Sequence, residues 1–244
     1  MIRVVVAGCK GRMGSKIASL VDEAPDMFLA AGVDQGDSLE DALHACDVIV
    51  DFTVASAAAR SAKTAAAHGK AIVIGTTGLM MEERLSVEEA SRVVPVVFSP
   101  NMSVGVNVMM KLVALASRVL KDRCRIEMVE THHAHKLDRP SGTAKRMLEI
   151  ALRETGLSSD KDVSVVEEEE ATSQDRRISV RSIRAGEVVG DHDVVFECGG
   201  ETLSISHRAK TREVCADGAI SAARWVVGKP AGLYGMDDVL DLKI

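Results

Sequence analysis

The first 14 residues constrain the fold more than any other part of the chain. Residues 2–7 are a short apolar run rich in β-branched side chains, followed by the letters G-C-K-G-R-M-G. Ile17, Leu20 and Val21 then recur at the spacing of a helix. A strand, a glycine turn and a helix in this order let a pyrophosphate sit on the helix N-terminus. We therefore predict an α/β fold with a Rossmann-like, doubly wound parallel sheet.

The glycine spacing is a weak signal when it stands alone, because a tight strand-to-helix turn without a ligand has the same composition. Gly8, Gly11 and Gly14 form the pattern G-x-x-G-x-x-G. A second apolar stretch, residues 28–33, ends in Asp34, which lies 20 residues after Gly14. An acid at this position can accept hydrogen bonds from both ribose hydroxyls of an adenosine. Together the two features predict a dinucleotide site.

The rest of the chain shows two patterns of hydrophobicity. Strand-like runs at 47–52, 71–75 and 94–99 alternate with helix-like segments at 39–45, 56–68, 81–92 and 104–121. This alternation favours a parallel sheet covered on both faces. Later, polar and apolar residues alternate over 177–184, 188–198 and 202–209. Those segments predict a mostly antiparallel sheet with one exposed face.

The return of a helical pattern at 216–227 suggests that both ends of the chain belong to one domain. We therefore predict an α/β dinucleotide-binding domain formed by residues 1–103 and 215–244. The intervening residues 104–214 are predicted to form a second, α+β domain.

Charge and composition argue against several classes of protein. The formal net charge is −6, and the chain has one Trp, one Tyr and four Phe, so we expect no nucleic-acid partner. No apolar run approaches the length of a membrane span and no signal-like segment opens the chain, so we expect no membrane partner and a cytoplasmic location. Five cysteines are scattered singly, which predicts neither a disulfide framework nor a zinc ribbon and suits a reducing compartment.

A candidate reaction site lies in residues 130–144, with the letters E-T-H-H-A-H-K-L-D-R-P-S-G-T-A. Imidazole transfers protons easily near neutral pH, and a lysine whose pKa is lowered by burial or by neighbouring cations can donate one. The letters S-G-T-A are typical of a helix start, in which Ser141 caps the helix and Gly142 leaves the backbone open to close approach. Free N–H groups at such a start bind anions. The run therefore predicts acid–base chemistry beside an anion site.

Two alternatives to a nicotinamide-dependent reductase stay open on these residues. A strand would place His133 and His135 on one face, where they could bind zinc with a third ligand such as His192, as in a hydrolase or lyase. A lysine next to the cluster would be poorly placed near a dication, which disfavours zinc, so we predict no metal site. The second alternative is a catalytically silent protein that only senses the dinucleotide. This alternative gives no reason for the intact H-H-x-x-K cluster.

Five blocks of residues resemble the dihydrodipicolinate reductase family, also called 4-hydroxy-tetrahydrodipicolinate reductase. They occur in the same order over nearly the whole chain: G-C-K-G-R-M-G at 8–14, G-T-T-G at 75–78, N-M-S-V-G-V-N at 101–107, H-H-A-H-K-L-D-R-P-S-G-T-A at 132–144 and R-A-G-E-V-V-G-D-H at 184–192. The resemblance implies NAD(P)H-dependent reduction of 4-hydroxy-tetrahydrodipicolinate to tetrahydrodipicolinate with loss of water, in the diaminopimelate route of lysine biosynthesis. It also implies a homotetramer joined through the second domain, which would bind the dicarboxylate substrate.

The resemblance also implies roles for individual residues. His132 would be the acid/base and Lys136 the proton donor. The residues implied for substrate binding are His133, Lys136, Ser141, Gly142 and Thr143. The residues implied for the pyrophosphate and ribose are Gly8, Cys9, Lys10, Gly11, Arg12, Met13 and Asp34. Those implied near the nicotinamide are Gly75, Thr76, Thr77, Ser99, Pro100, Asn101 and Met102.

The residue after the ribose acid bears on the choice of cofactor. Gln35 follows Asp34, where family members that bind NADPH well often carry a basic residue for the 2′-phosphate. NADH is therefore favoured over NADPH. Lys10 and Arg12 in the glycine turn could reach a 2′-phosphate, so use of both cofactors stays open.

Overall fold

A computed structural model describes residues 1–167, 176–211 and 213–242. The chain divides into two compact units, of which the first comprises Met1–Val104 with Glu213–Ile244 and the second Gly105–Arg212. Within the described residues, no helix combines the length and the apolar composition needed to cross a membrane.

The described residues form eleven strands and nine α-helices. The strands are β1 (Ile2–Ala7), β2 (Met27–Val33), β3 (Val48–Asp51), β4 (Ala71–Ile74), β5 (Pro95–Phe98), β6 (Cys124–His132), β7 (Val163–Glu167), β8 (Ile178–Arg184), β9 (Gly190–Cys198), β10 (Glu201–Ala209) and β11 (Gly232–Tyr234). The helices are α1 (Arg12–Glu23), α2 (Leu39–Ala42), α3 (Ala55–Ala67), α4 (Met81–Ser91), α5 (Val104–Leu120), α6 (Gly142–Thr155), α7 (Ser159–Asp162), α8 (Val214–Val226) and α9 (Met236–Val239).

The first unit is built on a six-stranded sheet in the order β11-β5-β4-β3-β1-β2, and every pairing is parallel. Successive residues of β1, from Val4 to Val6, are fully buried, as expected for a strand covered on both faces. From β1 the chain passes to β2, which lies on one side of β1 in the sheet, and then crosses to β3, which lies on the other side of β1. This reversal creates a crevice at the carboxyl ends of β1 and β3, where such folds bind ligands. The predicted doubly wound parallel sheet is confirmed.

The second unit contains a five-stranded sheet in the order β10-β9-β6-β8-β7. The sheet is mixed, because β10, β9 and β6 pair antiparallel, as predicted, whereas β6, β8 and β7 pair parallel, which was not predicted. Alternation of polar and apolar residues reports one exposed face and says nothing about strand direction. The buried face packs against α5 and α6 through Met109, Val113, Met147 and Ile150.

A disulfide joins the two central antiparallel strands of this sheet. Cys124 of β6 and Cys198 of β9 lie opposite each other with a Cα–Cα distance of 4.3 Å and are bonded through their sulfurs. The prediction from isolated cysteines was therefore wrong for this pair. The two residues are 74 positions apart in the sequence, and only the pairing of β6 with β9 brings them together. Cys9, Cys46 and Cys215 are free thiols.

Candidate functional site

The glycine turn after β1 is held by close backbone contacts. Gly8 has φ +81°, a conformation that glycine adopts readily, and its N–H donates to the Val33 carbonyl at 2.9 Å. A Cβ on Gly14 would lie only 2.0 Å from the Gly8 carbonyl oxygen. The turn therefore requires glycine at both positions. Because the α1 cap residue Gly11 has no side chain, the first N–H groups of α1 are left without a side-chain cap.

Asp34 connects this turn to the end of β2. Its carboxylate accepts hydrogen bonds from the backbone N–H groups of Gln35 and Lys10, both at 2.8 Å. These bonds, with that from Gln35 the larger effect, lower the pKa of Asp34. An ionised carboxylate has about four acceptor positions, so two backbone bonds leave capacity for ribose hydroxyls.

A cavity of about 740 Å³ opens at the carboxyl ends of β1, β2 and β3. Its volume falls in the range of small-molecule sites, which is roughly 300–1,000 Å³. The cavity includes the predicted residues Gly8, Gly11 and Asp34. It is also lined by residues that the sequence did not suggest: Asp37, Glu40, Phe52, Thr53, Val54 and Arg60. These side chains come from the loops after β2 and β3 and from α2 and α3, which no local sequence motif marks.

A buried carboxylate joins the loops that follow β3 and β4. Asp51 is fully buried, and its Oδ1 accepts from the Thr53 N–H, the Thr53 hydroxyl and the Thr76 hydroxyl at 3.1, 2.7 and 2.9 Å. A Cβ on Gly75 would lie 2.2 Å from the ring of Phe52, so glycine allows the two loops to pack closely. The Thr76 hydroxyl is therefore bonded within the protein rather than exposed.

The other residues predicted near the nicotinamide lie in the loop after β5. The Ser99 hydroxyl donates to the Asn101 carbonyl at 2.8 Å. Met102 is 1 % exposed, and a Cβ on Gly218 of α8 would lie 1.7 Å from its carbonyl oxygen, so its side chain packs in the core. Of the remaining predicted cofactor residues, Cys9, Met13, Gly75 and Asn101 are half-buried and Lys10, Gly11, Arg12, Thr77 and Pro100 are exposed.

One end of the buried sheet face in the second unit is polar. In the strand register, Glu130 of β6 lies between His192 of β9 and Ser182 of β8, and His207 of β10 follows beyond His192. The rest of that face is apolar, with Ile126, Met128, Val180, Val194 and Phe196 all buried. Buried polar groups require partners, so this row marks a candidate functional site.

Glu130 is the residue on which this polar end converges. It is 1 % exposed, and its Oε2 is hydrogen-bonded to Nδ1 of His132. Its Oε1 accepts from Arg184 Nη2 at 2.9 Å and from the Ser141 N–H at 3.2 Å. Burial raises the pKa of Glu130, but the hydrogen bonds with His132 and Arg184 outweigh burial and bring the pKa to about 2. Glu130 is therefore ionised at neutral pH.

Arg184 fastens the loop that carries Lys136. Its side chain is 2 % exposed, and it donates to the carbonyls of Lys136 at 3.2 Å and Asp138 at 2.5 Å. We did not assign roles to Glu130 or Arg184 from the sequence. Both lie in or next to the resembling blocks, and Glu130 lies two residues before His132 on the same face of β6, which is the signal that could have identified it.

Lys136 and His133 lie between β6 and α6. Lys136 Nζ contacts Asp138 Oδ1 at 2.7 Å, and its side chain is 23 % exposed. Burial raises the pKa of Asp138. The hydrogen bond and the charge of Lys136 together lower the pKa by more than burial raises it, so the net shift is downward. His133 is half-buried in the same loop. The loop thus presents a cation close to His132 in sequence.

Ser141, the residue before α6, is hydrogen-bonded within the protein. The Ser141 hydroxyl accepts from the Ala144 N–H at 3.2 Å and lies 3.4 Å from His192 Nε2, while the Ser141 N–H is bonded to Glu130. Both polar groups of Ser141 are therefore occupied within the protein. Gly142 is exposed, and apart from its own chain neighbours no described residue has an atom within 4 Å of the position that its Cβ would occupy. Gly142 and the half-buried Thr143 thus form the accessible part of this helix start.

The proposed zinc ligands do not come together. The rings of His133 and His135 are 6.3 Å apart, and His192 is 4 % exposed beside Ser141. Burial, with a smaller contribution from His132, lowers the pKa of His192 to about 4. Among the residues that the structure describes, no three His, Cys, Asp or Glu side chains are placed to hold a metal ion.

Comparison with known proteins agrees with the two-unit description. The family model described as "Dihydrodipicolinate reductase, N-terminus" matches residues 2–102, and the one described as "Dihydrodipicolinate reductase, C-terminus" matches residues 105–240. Proteins named 4-hydroxy-tetrahydrodipicolinate reductase are 45% identical in Methanoculleus marisnigri and 43% identical in Methanospirillum hungatei. Each match covers 99% of this chain and 100% of the relative.

Solved structures show the same fold. The structure described as dipicolinate-bound dihydrodipicolinate reductase from Paenisporosarcina sp. TG-14 has a TM-score of 0.78 at 23% identity, covering 98% of this chain and 99% of that one. An amine dehydrogenase from Mycobacterium smegmatis has a TM-score of 0.64 at 13% identity, covering 97% and 95% of the two chains. The family models and the close relatives together show that this chain is an oxidoreductase that belongs to the dihydrodipicolinate reductase family.

Proposed function

We propose that this protein reduces 4-hydroxy-tetrahydrodipicolinate to tetrahydrodipicolinate with NAD(P)H and loss of water, in the diaminopimelate route of lysine biosynthesis. The observation that carries the proposal is the buried pair of Glu130 and His132, in which the Glu130 carboxylate also binds the residue before α6 and the arginine that holds the Lys136 carbonyl. A relative that carries the name of this activity is 45% identical over 99% of this chain.

The residues of the second unit suit the proton transfer. Once the hydroxyl leaves as water, the conjugated ring accepts a hydride at C4, and the resulting enamine takes a proton at the adjacent carbon. Bound NAD(P)H would supply that hydride from its nicotinamide C4. His132, oriented by Glu130, acts as the acid/base, and Lys136 donates the proton to carbon. General acid catalysis of this kind contributes about 10²- to 10⁴-fold to the rate.

The same residues suit a small dicarboxylate. The first N–H groups of α6 at Gly142 and Thr143 carry the positive end of the helix dipole, and Gly142 leaves them sterically open. Lys136 and His133 provide further positive charge or hydrogen-bond donors. The structural neighbour from Paenisporosarcina is described as bound to dipicolinate, which is also a ring with two carboxylates. Ser141 acts on the substrate only indirectly, by capping α6.

The residues of the first unit suit a dinucleotide, and they favour NADH over NADPH. The turn at Gly8 and Gly14 leaves no room for side chains and exposes the N-terminus of α1. Three carboxylates, those of Asp34, Asp37 and Glu40, line the cavity at its ribose end. A 2′-phosphate would be repelled there, because among the described lining residues only Arg60 is cationic.

We expect a homotetramer and a cytoplasmic location. Strand β10 is an edge strand whose residues are mostly exposed, including Leu203 at 43 %, and such edges favour pairing with another chain. NAD(P)H-dependent biosynthesis is expected in the cytoplasm, where the cofactor is regenerated. Light scattering of the purified protein tests the tetramer, and a monomer would contradict it.

The function is tested by following the oxidation of NADH and NADPH in parallel, with substrate made in situ by dihydrodipicolinate synthase. We expect turnover that depends on the substrate and is faster with NADH. Lys136→Ala should lose about 10²- to 10⁴-fold in kcat while still binding NADH. The matched control is Lys121→Ala, which replaces an exposed lysine at the end of α5 and should leave kcat unchanged. No turnover with either cofactor, despite measurable NADH binding, would exclude the proposed activity.

A further inference from the structure

We propose that Glu130 and Arg184 are positioning residues, a buried ion pair that holds His132, the start of α6 and the Lys136 loop in one arrangement. The inference rests on the proposed function and extends it to two residues that do not need to touch the substrate. Glu130 is 1 % exposed and the Arg184 side chain 2 % exposed, and they meet at 2.9 Å.

The Glu130 carboxylate receives donors from three separate elements. His132 Nδ1 comes from the end of β6, the Ser141 N–H from the residue before α6, and Arg184 Nη2 from the end of β8. A single carboxylate therefore sets the imidazole position relative to the helix start. Removing one member of a buried charge network is costly, because the other charges are left unpaired. The members of such a network therefore stay in one arrangement.

Arg184 extends the same restraint to the loop between β6 and α6. Besides Glu130, its guanidinium donates to the carbonyls of Lys136 and Asp138, and Nη1 donates to its neighbour Ile183 at 2.7 Å. Four acceptors in different directions match the planar fork of arginine and cannot all be reached by a lysine ammonium. Arg184 thereby fixes the backbone on both sides of Leu137, directly beside the proposed proton donor.

The carboxylate also determines which nitrogen of His132 reacts. Because Nδ1 is bonded to Glu130, the transferable proton is on Nε2, as it is for the histidine of a serine-protease triad. A Cβ on Gly190 would lie 3.1 Å from Nε2, so the glycine keeps space beside this atom. Arg184 is the register partner of His132 on β8, and the ring of His192 lies 5.3 Å from that of His132. His207 is one strand beyond His192.

The kinetic test is Glu130→Gln, which keeps the size of the side chain and removes its charge. The glutamine side chain has one acceptor oxygen and one NH2 group in place of the two carboxylate oxygens. In the variant, either His132 or the pair of Ser141 and Arg184 therefore faces this NH2 group. We expect kcat to fall by about 10²- to 10⁴-fold, with KM for substrate and Kd for NADH nearly unchanged. A purely structural residue would not give this split between kcat and KM.

Arg184→Lys is the second variant and keeps the positive charge. It should raise KM for substrate as well as lower kcat, because the Lys136 loop loses its carbonyl contacts while NADH binding stays intact. The matched controls are Glu149→Gln and Arg146→Lys, which alter an exposed ion pair on α6 with a distance of 2.8 Å. Both controls should retain wild-type kcat and KM.

An NMR spectrum of the histidine ring protons, recorded without substrate, separates this inference from the proposed function. With the wild-type protein we expect a far-downfield Nδ1 proton for His132 that is lost in Glu130→Gln. If this signature holds but no reductase turnover is found, the positioning role stands and the proposed activity falls. Wild-type kcat in Glu130→Gln, or a His132 Nδ1 signal that is the same in both proteins, would overturn the positioning role. If Glu130→Gln fails to fold, Arg184→Lys gives the same comparison.

Discussion

Gly190 lies so close to His132 that a Cβ added to it would be 3.1 Å from Nε2 and 3.4 Å from Cδ2. The contact is tight enough to displace the ring and not tight enough to prevent folding. Because Glu130 holds Nδ1 on the other side of the ring, His132 cannot move away without stretching a buried hydrogen bond. Glycine at 190 is therefore part of the arrangement that places the imidazole.

Gly190→Ala should lower kcat by about 10- to 100-fold, because small misplacements of catalytic groups have effects of this size. Overpacking should also lower the free energy of unfolding by about 1–3 kcal/mol. Steady-state kinetics and urea unfolding measure the two effects. Gly199→Ala is the control, since among the described residues only its own chain neighbours lie within 4 Å of the added Cβ. Unchanged kcat in Gly190→Ala would show that the ring position is not critical.

His192 should make the stability of the protein depend on pH. Its pKa is about 4 in the fold, against 6.5 for an unperturbed histidine, so between these values the unfolded chain binds the extra proton. The contribution of His192 is therefore constant above pH 6.5 and falls as pH decreases towards 4, by up to about 3 kcal/mol. Urea unfolding at pH 7.5 and 5 should show a smaller pH effect in His192→Gln than in wild type or in the exposed control His44→Gln. An equal pH effect in all three would contradict the depressed pKa.

The disulfide between Cys124 and Cys198 should stabilise the second sheet. Replacing both cysteines by alanine is expected to lower the free energy of unfolding by about 2–5 kcal/mol under non-reducing conditions. Guanidinium unfolding with and without a reductant checks this, and reduced wild type should approach the double variant. Cys9→Ala serves as the control because Cys9 is a free thiol. If reductant leaves the wild-type transition unchanged, the bond does not form in solution.

The carboxylate of Asp37 should disfavour NADPH. Asp37 Oδ2 accepts from the Asp34 N–H at 2.8 Å, and Asp37→Asn preserves an acceptor for this bond while it removes the charge. We expect the ratio of kcat/KM for NADPH to that for NADH to rise about tenfold, because unit charges about 4 Å apart interact by ~1 kcal/mol or more. Asp41→Asn, on the exposed side of α2, is the control. A ratio that is the same in both variants would remove Asp37 from cofactor selection.

The sequence alone determined the local elements and the family. Helix α5 was predicted at residues 104–121 and extends over Val104–Leu120, and β1 has the predicted limits. These elements follow from periodicity and glycine position, which are properties of neighbouring residues. The motif H-H-x-x-K with P-S-G-T-A also identified the family, which the comparisons then showed.

Only the tertiary structure decided how distant residues meet. Glu130 and Arg184 are 54 positions apart, and Cys124 and Cys198 are 74 apart, so both contacts depend on which strands flank β6 and in which register. Alternating hydrophobicity marks a buried face without indicating the neighbouring strand or its direction, which is why the mixed sheet was not predicted. The sequence itself shows which positions of the site carry histidine and lysine. It does not show how these side chains are oriented, because their orientation depends on a buried carboxylate and a buried guanidinium that two different strands supply.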